Sequence, residues 1–119
     1  MSSLYLPTWR PASIDASLNG TQQNDWNPTG WSTATMIWIS ASSPTTITGL
    51  QGGVDGRIAI LMVRVGSSAV TLVADSASSS AGNRFRGSSA SPVLAIGSAH
   101  QGVALLYDGT EARWIGVTL

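Results

Sequence analysis

Almost none of the residues that usually cover exposed helices occur in this chain. Glu and Lys together occur once among 119 residues, at Glu111, while Ser, Thr, Gly and Ala account for 56. Exposed helix positions favour Glu, Lys, Gln and Arg, so surface helices would lack their usual covering here. The 43% of hydrophobic residues supply material for a core and argue against a disordered linker. The composition therefore predicts an all-β domain.

Short apolar segments recur at spacings near ten residues from position 34 onward, separated by turn-forming residues. The absence of a helical period predicts a single β-sandwich or jelly roll of about seven or eight short antiparallel strands over residues 34–119. Residues 66–68 are predicted to close a hairpin between two of these strands, and residues 108–110 another tight turn. The predicted strands are 35–40, 45–48, 57–65, 69–74, 93–96, 103–107 and 113–118.

Residues 1–33 look different from the rest, because they hold three of the five Trp and three of the five Pro and show little periodicity. They are predicted to form an irregular N-terminal arm with a short strand or two, packed under its own Trp residues or lying on a partner. Aromatic side chains in loops can cap a core, dock on a protein or stack on a sugar. The candidate docking residues are Tyr5, Trp9, Arg10, Trp26 and Trp31.

Counting excludes most catalytic and metal chemistry. The chain has no Cys, which excludes disulfides, thiolate chemistry and cysteine zinc sites. His100 is the only histidine, and no Gly-x-Ser-x-Gly motif accompanies it, so it is expected to be a solvated turn residue. The alternative is a histidine metal site, in which a trimer brings three copies of His100 to one axis. We expect no enzyme activity, no cofactor and no metal.

Three further patterns have structural interpretations. The glycine-rich segment 49–56 lacks the Lys and the following helix of a phosphate-binding loop, and is predicted to be a wide turn between strands. Asp108 and Glu111 could be a hydrolytic carboxylate pair, but Arg84 and Arg113 are available as ion-pair partners. Residues 75–91 are rich in Ser and Ala and are predicted to have flexible ends, with Phe85 anchoring their middle.

The balance of charges indicates which classes of partner the chain could bind. Six Arg and six acidic residues give a net charge of zero, so the basic footprint of a nucleic-acid-binding protein is absent. Low charge favours association, and strands 57–65 and 103–107 are apolar enough to need cover on more than one face, which oligomerisation can supply. No signal peptide is visible, and the longest apolar run, 58–63, is far shorter than the roughly 20 residues of a membrane span.

Five segments, in their order and spacing, resemble a module common in tailed-bacteriophage virion proteins. The resemblance covers residues 19–118 and is to modules at the ends of tail fibres, in head fibres and in capsid decoration proteins. It implies a small β-sandwich or jelly-roll knob that forms homotrimers. The segments are Asn-Asp-Trp-Asn-Pro-Thr-Gly at 24–30, Ile-Thr-Gly-Leu-Gln-Gly-Gly-Val-Asp-Gly-Arg at 47–57, Asn-Arg-Phe at 83–85, Leu-Tyr-Asp-Gly at 106–109 and Arg-Trp at 113–114.

The resemblance implies a structural role. No heptads, collagen repeat or coiled-coil stalk is visible, which favours a capsid decoration or cement protein over a tail fibre. Such a protein would be made in the bacterial host cytoplasm and bind the major capsid protein of the assembled virion shell as a trimer, through the arm 1–33. The alternative is a fibre knob that binds a host-surface receptor or glycan through Trp26, Trp31 and the loop 75–91.

The same resemblance gives the charged residues a structural role. Arg84 and Arg113 are expected to pair with Asp55, Asp108 or Glu111 and so to fasten the loop 75–91 to the last hairpin. Arginine–carboxylate pairs of this kind fix geometry more than they add stability.

Overall fold

Nine strands in two sheets make up about half of the described structure. The computed structural model of the protein describes residues 10–86, 93–96 and 102–118, and at 93–96, 117 and 118 the backbone alone. Strand accounts for 48% and helix for 7%, which confirms the all-β prediction at the level of secondary structure. The strands are β1 (Ser13–Leu18), β2 (Met36–Ala41), β3 (Thr45–Ile47), β4 (Ile58–Val63), β5 (Val70–Val73), β6 (Phe85–Arg86), β7 (Val93–Ile96), β8 (Gly102–Asp108) and β9 (Arg113–Thr118).

The strand directions differ from the prediction. One sheet has the order β1-β2-β4-β8-β9-β6 and the other the order β3-β5-β7. The pairs β1–β2, β2–β4, β3–β5 and β6–β9 are parallel, so the expectation of antiparallel strands throughout is wrong. Alternating hydrophobicity is the same for a strand read in either direction. Direction is set instead by the connections, and parallel neighbours require long crossovers.

One predicted hairpin is absent and the other is confirmed. β4 lies in the six-stranded sheet and β5 in the three-stranded sheet, so residues 64–69 carry the chain from one sheet to the other. Ser67 fixes this crossing, because its buried Oγ accepts a hydrogen bond from the Ala41 N–H at 2.8 Å. β8 and β9 do form the predicted hairpin, and Asp108 Oδ1 accepts a hydrogen bond from the Thr110 N–H at 2.9 Å within its turn.

The predicted boundary after residue 33 is also wrong. β1 pairs in parallel with β2 along six residues, from Ser13↔Met36 to Leu18↔Ala41. Residues 19–35 are therefore the crossover that a parallel pair requires, and they belong to the same domain as the strands on either side. A short 3-10 helix, Trp31–Thr33, ends this crossover and buries its Trp.

The core collects one face of each sheet. Alternate residues of β2, β4 and β8 are buried, and the inward side chains of β3 and β5 join them in one cluster. Trp31, Phe85 and Trp114 are among its largest fully buried members, so Phe85 does anchor the segment in which it lies. Trp114 packs edge-on against Tyr107, with ring centroids 5.0 Å apart, and donates through Nε1 to the Leu50 carbonyl at 2.8 Å.

No helix within the described ranges is long and apolar enough to cross a membrane.

Candidate functional site

The structure separates the predicted docking residues into three groups. Tyr5 and Trp9 lie outside the described residues. Arg10 is exposed. Trp26 and Trp31 are 6% and 1% exposed, so they are core residues and cannot present their rings to a partner.

The loop around Trp26 and Trp31 is ordered by long-range contacts. Trp26 forms a backbone bridge with Leu50, and Trp31 Nε1 donates to the Gln51 carbonyl at 2.8 Å. Both Trp residues are thus held against the glycine-rich segment 49–56. The surrounding turn formers indicated a surface loop correctly, but the rings point beneath it.

The arginines that were predicted to form ion pairs contact different partners from those expected. Arg113 Nε lies 2.9 Å from Asp75 Oδ1, and Arg86 pairs with Glu111. Arg84 Nε donates to the Ser79 carbonyl at 2.9 Å instead of pairing with one of the predicted carboxylates. The sequence named the charged residues of this region but not the contacts between them.

Two of the three carboxylates expected to pair with arginines, Asp55 and Asp108, bond to the backbone instead. Asp55 Oδ1 accepts a hydrogen bond from the Gly109 N–H at 2.8 Å, and Asp108 bonds within its own turn. A carboxylate at a turn has free N–H groups within reach, so it does not need an arginine. The expected fastening of the 75–86 segment to the last hairpin does occur, through Arg113, which bonds both Asp75 and the Ala81 carbonyl.

A polar network ties the segment 76–86 to the β1–β2 crossover. Asp25 Oδ1 accepts hydrogen bonds from Asn83 Nδ2 at 2.8 Å and from the Ser80 N–H at 2.7 Å. Hydrogen bonds to the charged form favour it, and that from the Asn83 side chain is the main cause of the lowered pKa of Asp25. The buried Ser79 Oγ accepts from the Asp25 N–H at 2.8 Å and bonds Thr48 Oγ1 at 2.7 Å. The network fixes loops and presents no reactive group.

Within the described ranges, no group of three or more His, Cys, Asp or Glu side chains is placed to hold a metal ion. His100 lies outside them.

The outer face of the six-stranded sheet is the candidate site, because it is apolar where a sheet face in contact with water is usually polar. The outward residues of β4 are Ile58, Ile60 and Met62, and each lies opposite a residue of β8 in register. Ile58 pairs with Leu106, and these two side chains are 47% and 51% exposed. In antiparallel sheets with one face in water, hydrophobic residues normally point in and polar residues out.

The apolar surface extends across four neighbouring strands. On one side Met36 and Trp38 of β2 lie opposite Ile60 and Met62, and on the other Ile115 of β9 lies opposite Leu106. We call this surface the outer face. Its members are Met36, Trp38, Ile58, Ile60, Met62, Ala104, Leu106 and Ile115.

Two ion pairs, each formed between residues of the same chain, border the outer face. Arg64, which follows β4, lies 2.6 Å from Asp15 and stacks over Trp38, with its guanidinium carbon 4.7 Å from the ring centroid. Arg86 on β6 pairs with Glu111 in the β8–β9 turn. An apolar centre with a polar rim is the usual anatomy of a protein–protein interface.

The sequence anticipated part of this site. The apolar content of segments 57–65 and 103–107 predicted strands that need cover on both faces, and they lie side by side as β4 and β8. The contributions of Trp38 and Ile115 were missed, because only the register shows that they extend the same surface.

Arg57 is a further residue that sequence reasoning missed. Its guanidinium carbon lies 3.9 Å from the Trp31 ring centroid, and its nitrogens donate to three backbone carbonyls. An arginine after a glycine-rich turn carries no signal of such a role in the sequence.

Comparison with protein-family models, curated proteins and solved structures found no match to this chain.

Proposed function

We propose that this chain is a structural protein of a bacteriophage virion, a capsid decoration or cement protein that acts as a homotrimer. The observation that carries the assembly part of the proposal is the outer face. The resemblance of the five sequence segments to phage virion modules carries the location. Its partners are then further copies of itself and the major capsid protein.

The size of the outer face can be compared with that of a contact between copies. Strands lie about 4.8 Å apart and rise about 3.3 Å per residue, so the four strands that carry the outer face, at about six residues each, offer roughly 400 Å² before side-chain relief is counted. A stable interface takes about 800 Å² from each partner. The outer face alone therefore supplies about half of the area that one partner must contribute, and side-chain relief and the polar rim add to it.

The charge distribution favours a second copy as the occupant. Identical chains repel when each carries a net charge, and this chain carries none. The Arg64–Asp15 and Arg86–Glu111 pairs are neutral in themselves, so a copy brought against them meets no unbalanced charge. Permanent contacts between identical chains are also more hydrophobic than transient ones.

The mechanism is mechanical. A trimer that binds the assembled shell but not its free subunits stabilises the shell by mass action, by about 2.7 kcal/mol per site at a concentration one hundred times Kd. No step of this mechanism requires a catalytic group, cofactor or metal.

The first experiment measures association. Light scattering of the full chain should give the mass of three chains, and Leu106→Arg should give one, because it places a charge among the exposed apolar side chains of the outer face. Val65→Arg is the matched control. Val65 is 64% exposed and follows the carboxyl end of β4, whereas Ile58 stands at the start of that strand. A monomeric wild-type protein, or a trimer unaffected by Leu106→Arg, would refute assembly through this face.

The second experiment measures shell binding. Cosedimentation with capsids assembled without this chain should be saturable for the wild type and weakened for Leu106→Arg. Removing residues 1–9 tests the contribution of Tyr5 and Trp9 and leaves every described strand in the chain, whereas removing 1–33 takes away β1, Trp26 and Trp31 and should unfold the domain. A trimer that binds no capsid would move the proposal to the fibre-knob alternative.

A further inference from the structure

A groove of about 1050 Å³ opens at one end of the six-stranded sheet. β1, β2 and β4 are parallel neighbours, so their carboxyl ends meet at this end. The residues that leave these strands, among them Asn19, Ser42 and Val65, line the groove, and the β1–β2 crossover contributes Trp26 and Thr29. We call it the carboxyl-end groove. Ligand sites commonly have volumes of about 300–1,000 Å³, so it is large enough for several linked rings.

Hydroxyl and amide groups dominate the polar lining of the carboxyl-end groove. Ser17, Thr29 and Ser40 line it and are exposed, so their hydroxyls are available to a ligand as both donors and acceptors. Asn19 and Gln23 add amide groups. These are the groups that hydrogen-bond neutral polyhydroxylated molecules.

Apolar surfaces lie among these polar groups. Val65 is 64% exposed, Pro28 lies on the crossover wall, and Trp26 is 6% exposed and closes the floor with Leu18. A ligand that fits both sets of groups has hydroxyls at its edges and C–H groups on its faces. Sugar rings have this arrangement, whereas fully polar ions and fully apolar chains do not.

The charges of the groove argue for a neutral ligand. Asp15 is the one charged residue of its described lining, and it already pairs with Arg64 at 2.6 Å. An anionic ligand would find no cationic side chain in the described lining, and a cation would find a carboxylate that is already neutralised. Nucleic acids, phosphates and acidic sugars are therefore disfavoured.

The groove is preorganised by hydrogen bonds within the protein. Gln23 Nε2 donates to the Thr21 carbonyl at 2.9 Å, and the Thr21 N–H donates to Asn19 Oδ1 at 3.2 Å, which holds the turn after β1. Ser67 Oγ holds the end of β2 through the Ala41 N–H. A ligand does not have to order these walls, so less of its binding energy is lost on entry.

We propose that the carboxyl-end groove binds a neutral oligosaccharide. The amides and hydroxyls from Ser17 to Thr29 bond its hydroxyls, and Val65 and Pro28 contact its ring faces. This site shares Asp15 with the polar rim of the outer face but none of its apolar members, and it does not depend on association of copies. In a trimer it occurs three times, so a weak single site becomes an avid one on a surface that displays the sugar repeatedly.

The test is a titration of the full ¹⁵N-labelled chain followed by backbone amide shifts. The probes are maltotetraose, cellotetraose, mannotetraose and chitotetraose, used well above a Kd of about 1 mM, the range of weak single-site binding. At least one should shift amides of residues 17–29 and 64–67 in a saturable manner. No saturable shift with any of the four, or shifts confined to other residues, would overturn the proposal.

Two variants separate this proposal from assembly. Val65→Arg and Thr29→Arg, both at exposed positions, should weaken binding by about tenfold or more, which corresponds to about 1.4 kcal/mol. Leu106→Arg, the monomer variant proposed above, should bind the sugar as the wild type does. Equal binding by all three variants would overturn the groove as the site, and saturable binding of a neutral Ser/Thr-rich peptide in place of any sugar would assign the groove to an extended chain.

Discussion

Arg57 offers the sharpest test of how this fold is held together. Its Nη2 donates to the Trp31 carbonyl at 2.7 Å and to the Ala34 carbonyl at 3.1 Å, and its Nη1 donates to the Gly52 carbonyl at 2.8 Å. The same guanidinium lies 3.9 Å from the Trp31 ring centroid. One side chain thus joins the β1–β2 crossover, the glycine-rich segment and the start of β4. We expect Arg57→Met to destabilise the protein strongly.

The size of the loss follows from these contacts. A hydrogen bond contributes about 1 kcal/mol net, and a charged donor more, although two of the three bonds are only partly buried and the third is exposed. The cation–π contact adds about 0.5–1 kcal/mol. The retained Met stem offsets little of this, so the expected loss is about 3 kcal/mol. For a domain of this size that lowers Tm by about 12 °C.

The assay is urea unfolding followed by Trp fluorescence, with the slope m compared between variants. Arg64→Met is the matched control, because Arg64 also stacks over a Trp, at 4.7 Å, but pairs with Asp15 in an exposed position. Exposed pairs contribute about 0–1 kcal/mol, so this variant should lose little. Arg57→Lys should fall between, since an ammonium cannot hold three carbonyls in a fork. Equal losses for Arg57→Met and Arg64→Met would refute the reasoning.

Three further predictions concern single contacts. The hydrogen bond from Asn83 lowers the pKa of Asp25, so the stability that this carboxylate contributes is present above its ordinary pKa of 3.8 and is lost as pH falls through the lower pKa of the folded state. The free energy of unfolding of Asp25→Asn should therefore depend less on pH below 3.8 than that of the wild type, and parallel curves of stability against pH would contradict this. Gly53→Ala should destabilise by about 2 kcal/mol or more, because its Cβ would lie 2.0 Å from the Tyr107 ring, whereas Gly82→Ala meets nothing closer than 3.6 Å and should melt within a few degrees of wild type. Tyr107→Phe removes the 2.7 Å bond to the Gly82 carbonyl and should cost about 1 kcal/mol by thermal unfolding, and no change would show that water replaces it.

The local features of the fold were readable from the sequence and the pairing was not. Segments 57–65 and 103–107 predicted β4 and β8 because β-branched and aliphatic residues cluster there between turn formers. The turn at 108–110 was also readable, because Asp-Gly-Thr satisfies its own backbone. The loop 66–68 looked the same but joins two sheets, because the choice of partner strand depends on contacts far away in the sequence.

The candidate sites show the same limit. The excess of apolar residues in β4 predicted a second covered face, but the width of that face required the register with Trp38 and Ile115. The carboxyl-end groove carried no sequence signal, since it exists only because three parallel strands end together. The sequence predicted docking for the aromatic residues of the β1–β2 crossover because their neighbours in the chain are polar. Trp31 is buried instead, because it packs against segment 49–56, which is distant in the sequence.

The arginines connect the composition to both proposed surfaces. Arg57 and Arg84 donate to backbone carbonyls, and the other three arginines with contacts in the described ranges pair with Asp15, Asp75 and Glu111. These arginines therefore stabilise the fold, and three of the five have their charge balanced by a carboxylate. Under both proposals, recognition uses surfaces that remain exposed in the described ranges, an apolar sheet face and a hydroxyl-lined groove. The first suits another copy of a neutral chain and the second a neutral sugar, so one feature of the composition, few charges with a net charge of zero, favours both proposals.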